Sequence, residues 1–311
     1  MTLTQLEYIV AVDTHRHFGL ASEQCFVTQP TLSMQIQKLE EELGVRIFDR
    51  TRQPVIPTEI GTRIIGQARV ILRDARMVAE IINEQKDSMT GEIRLGIIPT
   101  LAPYLLPPLF KYMHDRYPQL NLIIKEGITE DVIHELKNNR LDCGLVVTPL
   151  KDPAIKEDVL FYEELFVYVS RKNALYDKKY VLANDIDPNQ LWLLEEGHCF
   201  RSQILNLCEL RKRSDFHFKY ETGNIETLKR MVDKSDGITI LPELAVMEFS
   251  KAQNRLVKRL KEPSPAREVS LVTHRDHLKT KLIKTLRAAI LEIVPKQMQK
   301  LRNKKIVEIN Y

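Results

Sequence analysis

No apolar run in the sequence approaches the 18 residues that a membrane-spanning helix needs, so no membrane partner is expected. The opening Met1-Thr2-Leu3-Thr4-Gln5-Leu6-Glu7 lacks the basic region and apolar core of a secretory leader, which points to a reducing cytosol. Four cysteines in 311 residues are too few for a disulfide scaffold. There is no CxxC pair, no glycine-rich cofactor fingerprint, no internal repeat and no low-complexity tract. No cofactor, no resident metal and no enzymatic turnover are therefore expected. Zinc held by His198, Cys199, Cys208 and His217 would lack the closely spaced thiol pair usual in such sites. What is there is globular: 43% hydrophobic and 28% charged residues, in a length that suits two or three domains.

Charge alone does not announce a nucleic-acid partner. The net charge is +4, yet residues 1–90 hold ten Lys and Arg against twelve Asp and Glu, a balance of −2. The last sixteen residues hold five basic residues against Glu308 alone. A claim on DNA must rest on a motif.

Residues 2–60 read as short helices and tight turns. Leu6, Ile9 and Val10 share a face, and Leu20, Ala21 and Cys25 form the inner side of a second helix. Thr28 is a fitting N-cap for a third, with Pro30 in its first turn and Gly44 at its end. That helix should bury Leu32, Ile36, Leu39 and Leu43. Its other side presents Thr31, Met34, Gln35 and Lys38, with Gln29, Pro30 and Ser33 near the start. Gln and Thr suit base edges in a major groove, and Lys38 suits a phosphate. Val45 to Pro57 resembles a wing carrying Arg50 and Arg52, while Glu40, Glu41 and Glu42 should point away from DNA. Such a pattern fits a helix-turn-helix and equally fits generic three-helix packing.

From Thr58 to about Asp87, Ile64, Ala68, Ile71, Ala75, Val78 and Ile82 recur at the 3.5 spacing of a coiled-coil seam. Packing of this helix on its own domain is the other reading. Past Gly91, strands 93–97, 120–125 and 143–147 alternate with helices to Tyr117 and over 130–138, a βαβαβ order that implies a parallel sheet. A second set follows: strands 161–170, 192–195, 216–221 and 238–241, with helices after Cys199 and over 225–234. Val269 to Thr273 is one more strand, and a helix from Leu278 to about Asn303 closes the chain. The chain should cross between two lobes near 160 and 267.

Cys199 follows Gly197-His198 and precedes Arg201, and nine residues of apparent helix separate it from Cys208. That length of helix holds the two side chains roughly 13.5 Å apart on opposite faces, whereas a disulfide needs Cα atoms within about 7 Å. Bonding them would require the helix to come apart. Two such thiols are as readily small core hydrophobes, the role expected of Cys25 and Cys143. His15 and His17 suggest packing or capping.

Residues 3–64 resemble the winged helix of LysR-type transcriptional regulators, through Phe18, Ala21, the run Val27 to Ser33, Ile36, Leu39-Glu40, Leu43-Gly44, Phe48, Arg50 and Thr58. The resemblance extends over the whole chain. It implies an N-terminal all-α winged helix-turn-helix with a long linker helix, then an α/β two-lobed effector domain like the periplasmic binding proteins. The boundaries it implies are 1–60 for DNA binding, 61–90 for the dimerisation helix, 91–160 with 267–303 for lobe I, 161–266 for lobe II, and a basic tail over 304–311. Partners implied are double-stranded promoter DNA, RNA polymerase and further copies of the chain as dimer or tetramer, in a bacterial cytoplasm.

Within the family, the chain most resembles the members that sense hydrogen peroxide, through His15-Arg16-His17-Phe18, the runs Gly96 to Thr100 and Pro103 to Pro107, Leu141-Asp142-Cys143, Glu196-Gly197-His198-Cys199, Cys208, and Gly237-Ile238-Thr239. That likeness implies that Cys199 is the peroxidatic thiol and Cys208 the resolving one. A reversible disulfide would form on oxidation and be undone by a cellular thiol reductant. It places Thr100, Thr129, His198, Arg267 and Asp142 around the peroxide. Their donors and charge, with the helix N-terminus, should lower the Cys199 pKa. The competing readings are a family member answering to a metabolite between its lobes, and a thiol peroxidase turning over with a recycling partner.

Overall fold

Thr2 opens the first helix, α1 (Leu3–His15): its hydroxyl accepts from the Gln5 amide while the Gln5 side chain accepts from the Thr2 amide. The structure is a computed structural model that describes residues 1–84, 90–208, 224–275, 277 and 280–308. The chain divides into two units, Met1–Asp87 and Ser88–Tyr311.

In the first unit His17 caps α2 (Phe18–Gln24), its Nδ1 accepting from the Gly19 and Leu20 amides. Thr28 caps α3 (Gln29–Leu43), and Gly44 ends it at a φ of +68°, a conformation that favours glycine. Leu6, Ile9, Ala21, Leu32, Ile36 and Leu39 make the core. Leu20 and Leu43, expected inside, are exposed. Leu20 stands about 100° around the helix from Ala21, and Leu43 lies where the chain turns off at Gly44. The strands β1 (Phe48–Asp49) and β2 (Ile56–Pro57) pair antiparallel as the wing.

Glu40, the first of the acidic run, turns inward. It is buried, one oxygen accepting from the Ile47 and Phe48 amides and the other from Arg50. The carboxylate ties α3 to the base of the wing.

Helix α4 (Glu59–Glu84) lays Ile65, Ala68 and Leu72 into the same core, with a buried Arg69–Asp13 pair at 2.6 Å beside them. Ile64 and Ile71 of the expected seam are partly buried there too. The first half of the seam is thus shared with the helix's own domain, and Val78 further along is 65% exposed. The expected continuation to Asp87 lies outside the described residues.

The second unit opens with β3 (Gly91–Ile97), α5 (Ala102–Arg116), β4 (Leu120–Glu126), α6 (Thr129–Lys137) and β5 (Cys143–Thr148), the three strands parallel in the order β4-β3-β5. β6 (Ile155–Val169) then runs out of this lobe. The far lobe holds β7 (Tyr180–Val181), α7 (Cys199–Leu207), α8 (Ile225–Lys234), β8 (Ile238–Pro242), α9 (Glu243–Met247), α10 (Lys251–Asn254) and β9 (Val257–Leu260). β10 (Ser264–His274) returns antiparallel to β6 and pairs with β5, and α11 (Thr280–Ile293) and β11 (Lys304–Ile306) close the chain. Each lobe has its own apolar core, one around Leu95, Leu145 and Leu271, the other around Val167, Phe200 and Ile240. β6 and β10 are the crossing strands anticipated near 160 and 267.

Two expectations need revision. Residues 192–195 form no strand; a single bridge joins Leu191 to Ile238, though Leu193 and Leu194 are buried. The closing helix stops at Ile293, two residues before Pro295, which cannot donate to a helical ladder. In the basic tail, Lys304–Ile306 pairs parallel with Ser264–Ala266, and Lys304 donates to the Tyr162 carbonyl. Strand 216–221, His217 and the helix start at Leu278 lie outside the described residues.

Candidate functional site

β3 and β4 run parallel, so the loops after their carboxyl ends lie side by side. The first carries Thr100 and the second leads to Thr129, the first residue of α6. From the other lobe, Gly197 at φ +90° turns the chain into α7, and Cys199 is that helix's first residue. Thr129 Oγ1 donates to Cys199 Sγ at 3.6 Å, and the amides of Cys199 and Phe200 also face the sulfur.

Arg267 comes from β10 and is wholly buried. Its Nη1 donates to Thr100 Oγ1 at 2.7 Å and its Nη2 to the Thr100 carbonyl at 3.2 Å. Nε and Nη2 both meet Glu163 Oε2, at 2.8 and 2.7 Å. The guanidinium also lies 5.0 Å over the Phe200 ring. Glu163 is the one participant that sequence reasoning missed.

His198 is buried, with Nε2 3.4 Å from Glu195 Oε1, and Arg201 donates to the Leu194 carbonyl. Asp142 is at the amino end of β5, where its carboxylate takes the Arg94 amide and guanidinium. Thr100 and Thr129 follow the opposite, carboxyl ends of the neighbouring strands. The structure does not bring Asp142 to the cluster.

The expected acidity of Cys199 is reversed. Burial pushes the thiol up, and the Thr129 hydrogen bond, the Arg267 charge and the two amides offset this only in part. Arg267 is shared as a source of charge, because Glu163 already holds it. Cys208 closes α7 as its C-cap, also reduced and buried, and burial alone pushes it up to about 12. Cys199 packs into the core of the first lobe and Cys208 into that of the second. Nine residues of helix, roughly 13.5 Å of rise, hold them apart.

The second candidate surface is on α3. Gln29, Pro30, Met34 and Lys38 are exposed, with Thr31, Ser33 and Gln35 half-buried. Thr31 shares a hydrogen bond with Thr28, and Gln35 accepts from Gln5. Arg50, expected to meet DNA, donates to Ser33 and Glu40 and lies over Phe18, while Arg52 pairs with Asp49. The wing arginine thus braces the helix that presents the polar face. Among the described residues, no cluster of three His, Cys, Asp or Glu is gathered for a metal, and no helix is long and apolar enough to cross a membrane.

A capped helix-turn-helix with a wing, followed by two α/β lobes strung on crossing strands, is the build of a transcriptional regulator, and the chain belongs to the LysR family. Residues 3–62 match the bacterial regulatory helix-turn-helix of the lysR family, and residues 86–294 match the LysR substrate binding domain. The DNA-binding transcriptional dual regulator OxyR of Escherichia coli (strain K12) is 36% identical over 273 residues, covering 88% of this chain and 89% of that protein. The solved full-length OxyR variant of Pseudomonas aeruginosa superposes with a TM-score of 0.80 at 32% identity, covering 94% of this chain and 98% of that one. Reduced OxyR from Porphyromonas gingivalis gives 0.63 at 31% identity, covering 69% of this chain and all of its own. The protein is a LysR-type, DNA-binding transcriptional regulator and not an enzyme.

Proposed function

We propose that this regulator responds to hydrogen peroxide, through a reversible disulfide between Cys199 and Cys208. The observation that carries the reading is a buried thiol at a helix N-terminus, hydrogen-bonded by Thr129 and set beside the Arg267–Thr100 pair. Hydroxyls and a fixed cation are what a small polar oxidant needs inside an apolar core. Relatives named as hydrogen peroxide-inducible genes activators, such as that of Dickeya chrysanthemi at 35% identity, agree with it.

The Cys199 thiolate attacks one peroxide oxygen and the O–O bond breaks. Sulfur is oxidised to a sulfenic acid, and the departing hydroxide takes up a proton. Thr100, Thr129, His198 and Arg267 hold the peroxide and the leaving oxygen. The Cys208 thiol then attacks the sulfenic sulfur, water leaves, and the S–S bond forms. A cellular dithiol returns the two electrons.

Because the sulfurs begin at opposite ends of α7, closure unwinds that helix and drags Cys208 out of its core. The lobe surface changes, and with it the spacing of winged units in a dimer or tetramer on promoter DNA. That spacing sets how RNA polymerase is met. Lys38, Gln29, Thr31, Met34 and their neighbours on α3 read and grip the operator.

The test is peroxide treatment followed by peptide mass mapping and promoter footprinting. A Cys199–Cys208 linked peptide and a changed footprint are expected. A metabolite-driven regulator would leave both unchanged by peroxide.

A further inference from the structure

We infer that Glu163 is a positioning residue for the thiol chemistry: its carboxylate competes with the Cys199 thiolate for the Arg267 guanidinium and so sets how readily Cys199 reacts. The inference rests on the reading of Cys199 as the peroxide-reactive thiol, and it concerns a strand residue outside any motif.

The strand register places Glu163 of β6 directly across from Arg267 of β10, where the two strands pass between the lobes. Both side chains are fully buried. One carboxylate oxygen takes Nε and Nη2, and the other accepts the Leu244 amide at 2.9 Å, in the first turn of α9. The carboxylate is therefore fixed at both oxygens, and it fixes the guanidinium. Thr100 and the Phe200 ring hold the guanidinium's remaining edge and face.

A paired Glu163 and Arg267 bring no net charge to the core. A thiolate forming at Cys199 would add an unbalanced negative charge to a buried site. Two responses lower that energy: the guanidinium turns its charge from Glu163 toward sulfur, or Glu163 takes a proton. Burial already favours the protonated form of Glu163, against the pull of Arg267 and the Leu244 amide.

The other groups facing the pair leave this balance to Glu163. Glu243 of α9 lies 3.5 Å from Lys304 of β11. Tyr104 of α5 is neutral, because burial and its hydrogen bond to Glu226 of α8 hold its pKa above the usual tyrosine range. Glu226 itself holds Lys229.

The experiment uses the full-length protein with Glu163→Gln, which keeps the shape and the acceptor for Leu244 but removes the charge. Thiolate absorbance in the ultraviolet, taken as the difference from the same background carrying Cys199→Ser, gives the Cys199 titration midpoint. The midpoint should fall by about one unit, with peroxide oxidation at neutral pH about tenfold faster. Glu163→Asp, which keeps the charge, should titrate near the parent. A Gln variant that titrates with the parent overturns the inference, as does an Asp variant that shifts as far as Gln. Should the lone buried Arg267 prevent folding, Glu163→Gln with Arg267→Gln removes both charges; its midpoint should lie at or above the parent's, and a lower one overturns the inference. A shifted midpoint with Cys199 inert to peroxide would remove the sensor reading and leave the role of Glu163 standing.

Discussion

Cys199 and Cys208 close the two ends of one nine-residue helix, and both are buried, yet their surroundings differ in kind. Around Cys199 stand a hydroxyl, two amides and a shared arginine; burial alone is what shifts Cys208. Burial raises both thiols, so it cannot be what separates them. What separates them is that Cys199 has groups able to receive a negative sulfur and a departing oxygen, while Cys208 has a core to leave. On the proposed reading, the first thiol meets the oxidant, and the second needs only to arrive with its proton.

The sharpest way to break this comparison is to remove each thiol in turn. Cys199→Ser should abolish both the linked peptide and the footprint change. Cys208→Ser should leave Cys199 oxidisable, seen by mass as sulfenic and higher acids. Equal protection from either substitution would show that the two sites are not distinct.

The next test is pH. The Cys199 pKa lies above its ordinary value, so below it the reactive thiolate is the minor form, and its share grows as pH rises. Peroxide oxidation measured by stopped flow should quicken by about tenfold per pH unit between about pH 6 and 8. A flat profile would mean that the thiolate is already complete.

Smaller effects sharpen the contrast. Thr129→Val removes the donor to Sγ, so the oxidation rate should fall by about tenfold, the worth of one hydrogen bond to a charged acceptor. Smaller again is the effect of ending the chain at Asn303. The Val307 and Glu308 carbonyls accept from Gln203 and Asn206 of α7, so their loss should loosen the helix. Disulfide closure, timed by quenched alkylation, should then be about fivefold faster.

The sequence was most legible where a local rule sets a boundary. Thr28, Pro30 and Gly44 mark α3 to the residue, and the βαβαβ order of the first lobe follows from alternating apolar runs. Cys199 and Cys208 stood out because glycine and histidine precede one and a helical pattern joins them. The rest depends on contacts between distant residues. Glu163 looks like one half of an ordinary Glu163-Glu164 pair, because its partner arrives on another strand 104 positions later. Glu40 looks like part of an acidic surface run, since nothing local shows that two wing amides need an acceptor. Thr100, Thr129 and Arg267, far away in the sequence, enter through the family resemblance alone, and helix geometry turns the nearby Arg201 to a loop carbonyl. Adjacency in the chain is a poor guide to adjacency at a helix start.

Hydrogen exchange across α7 tests the central claim most directly, followed on the full-length protein before and after one equivalent of peroxide. The account predicts that the amides of 201–208 lose their protection in step with appearance of the Cys199–Cys208 disulfide. A disulfide that forms while those amides stay protected would contradict it.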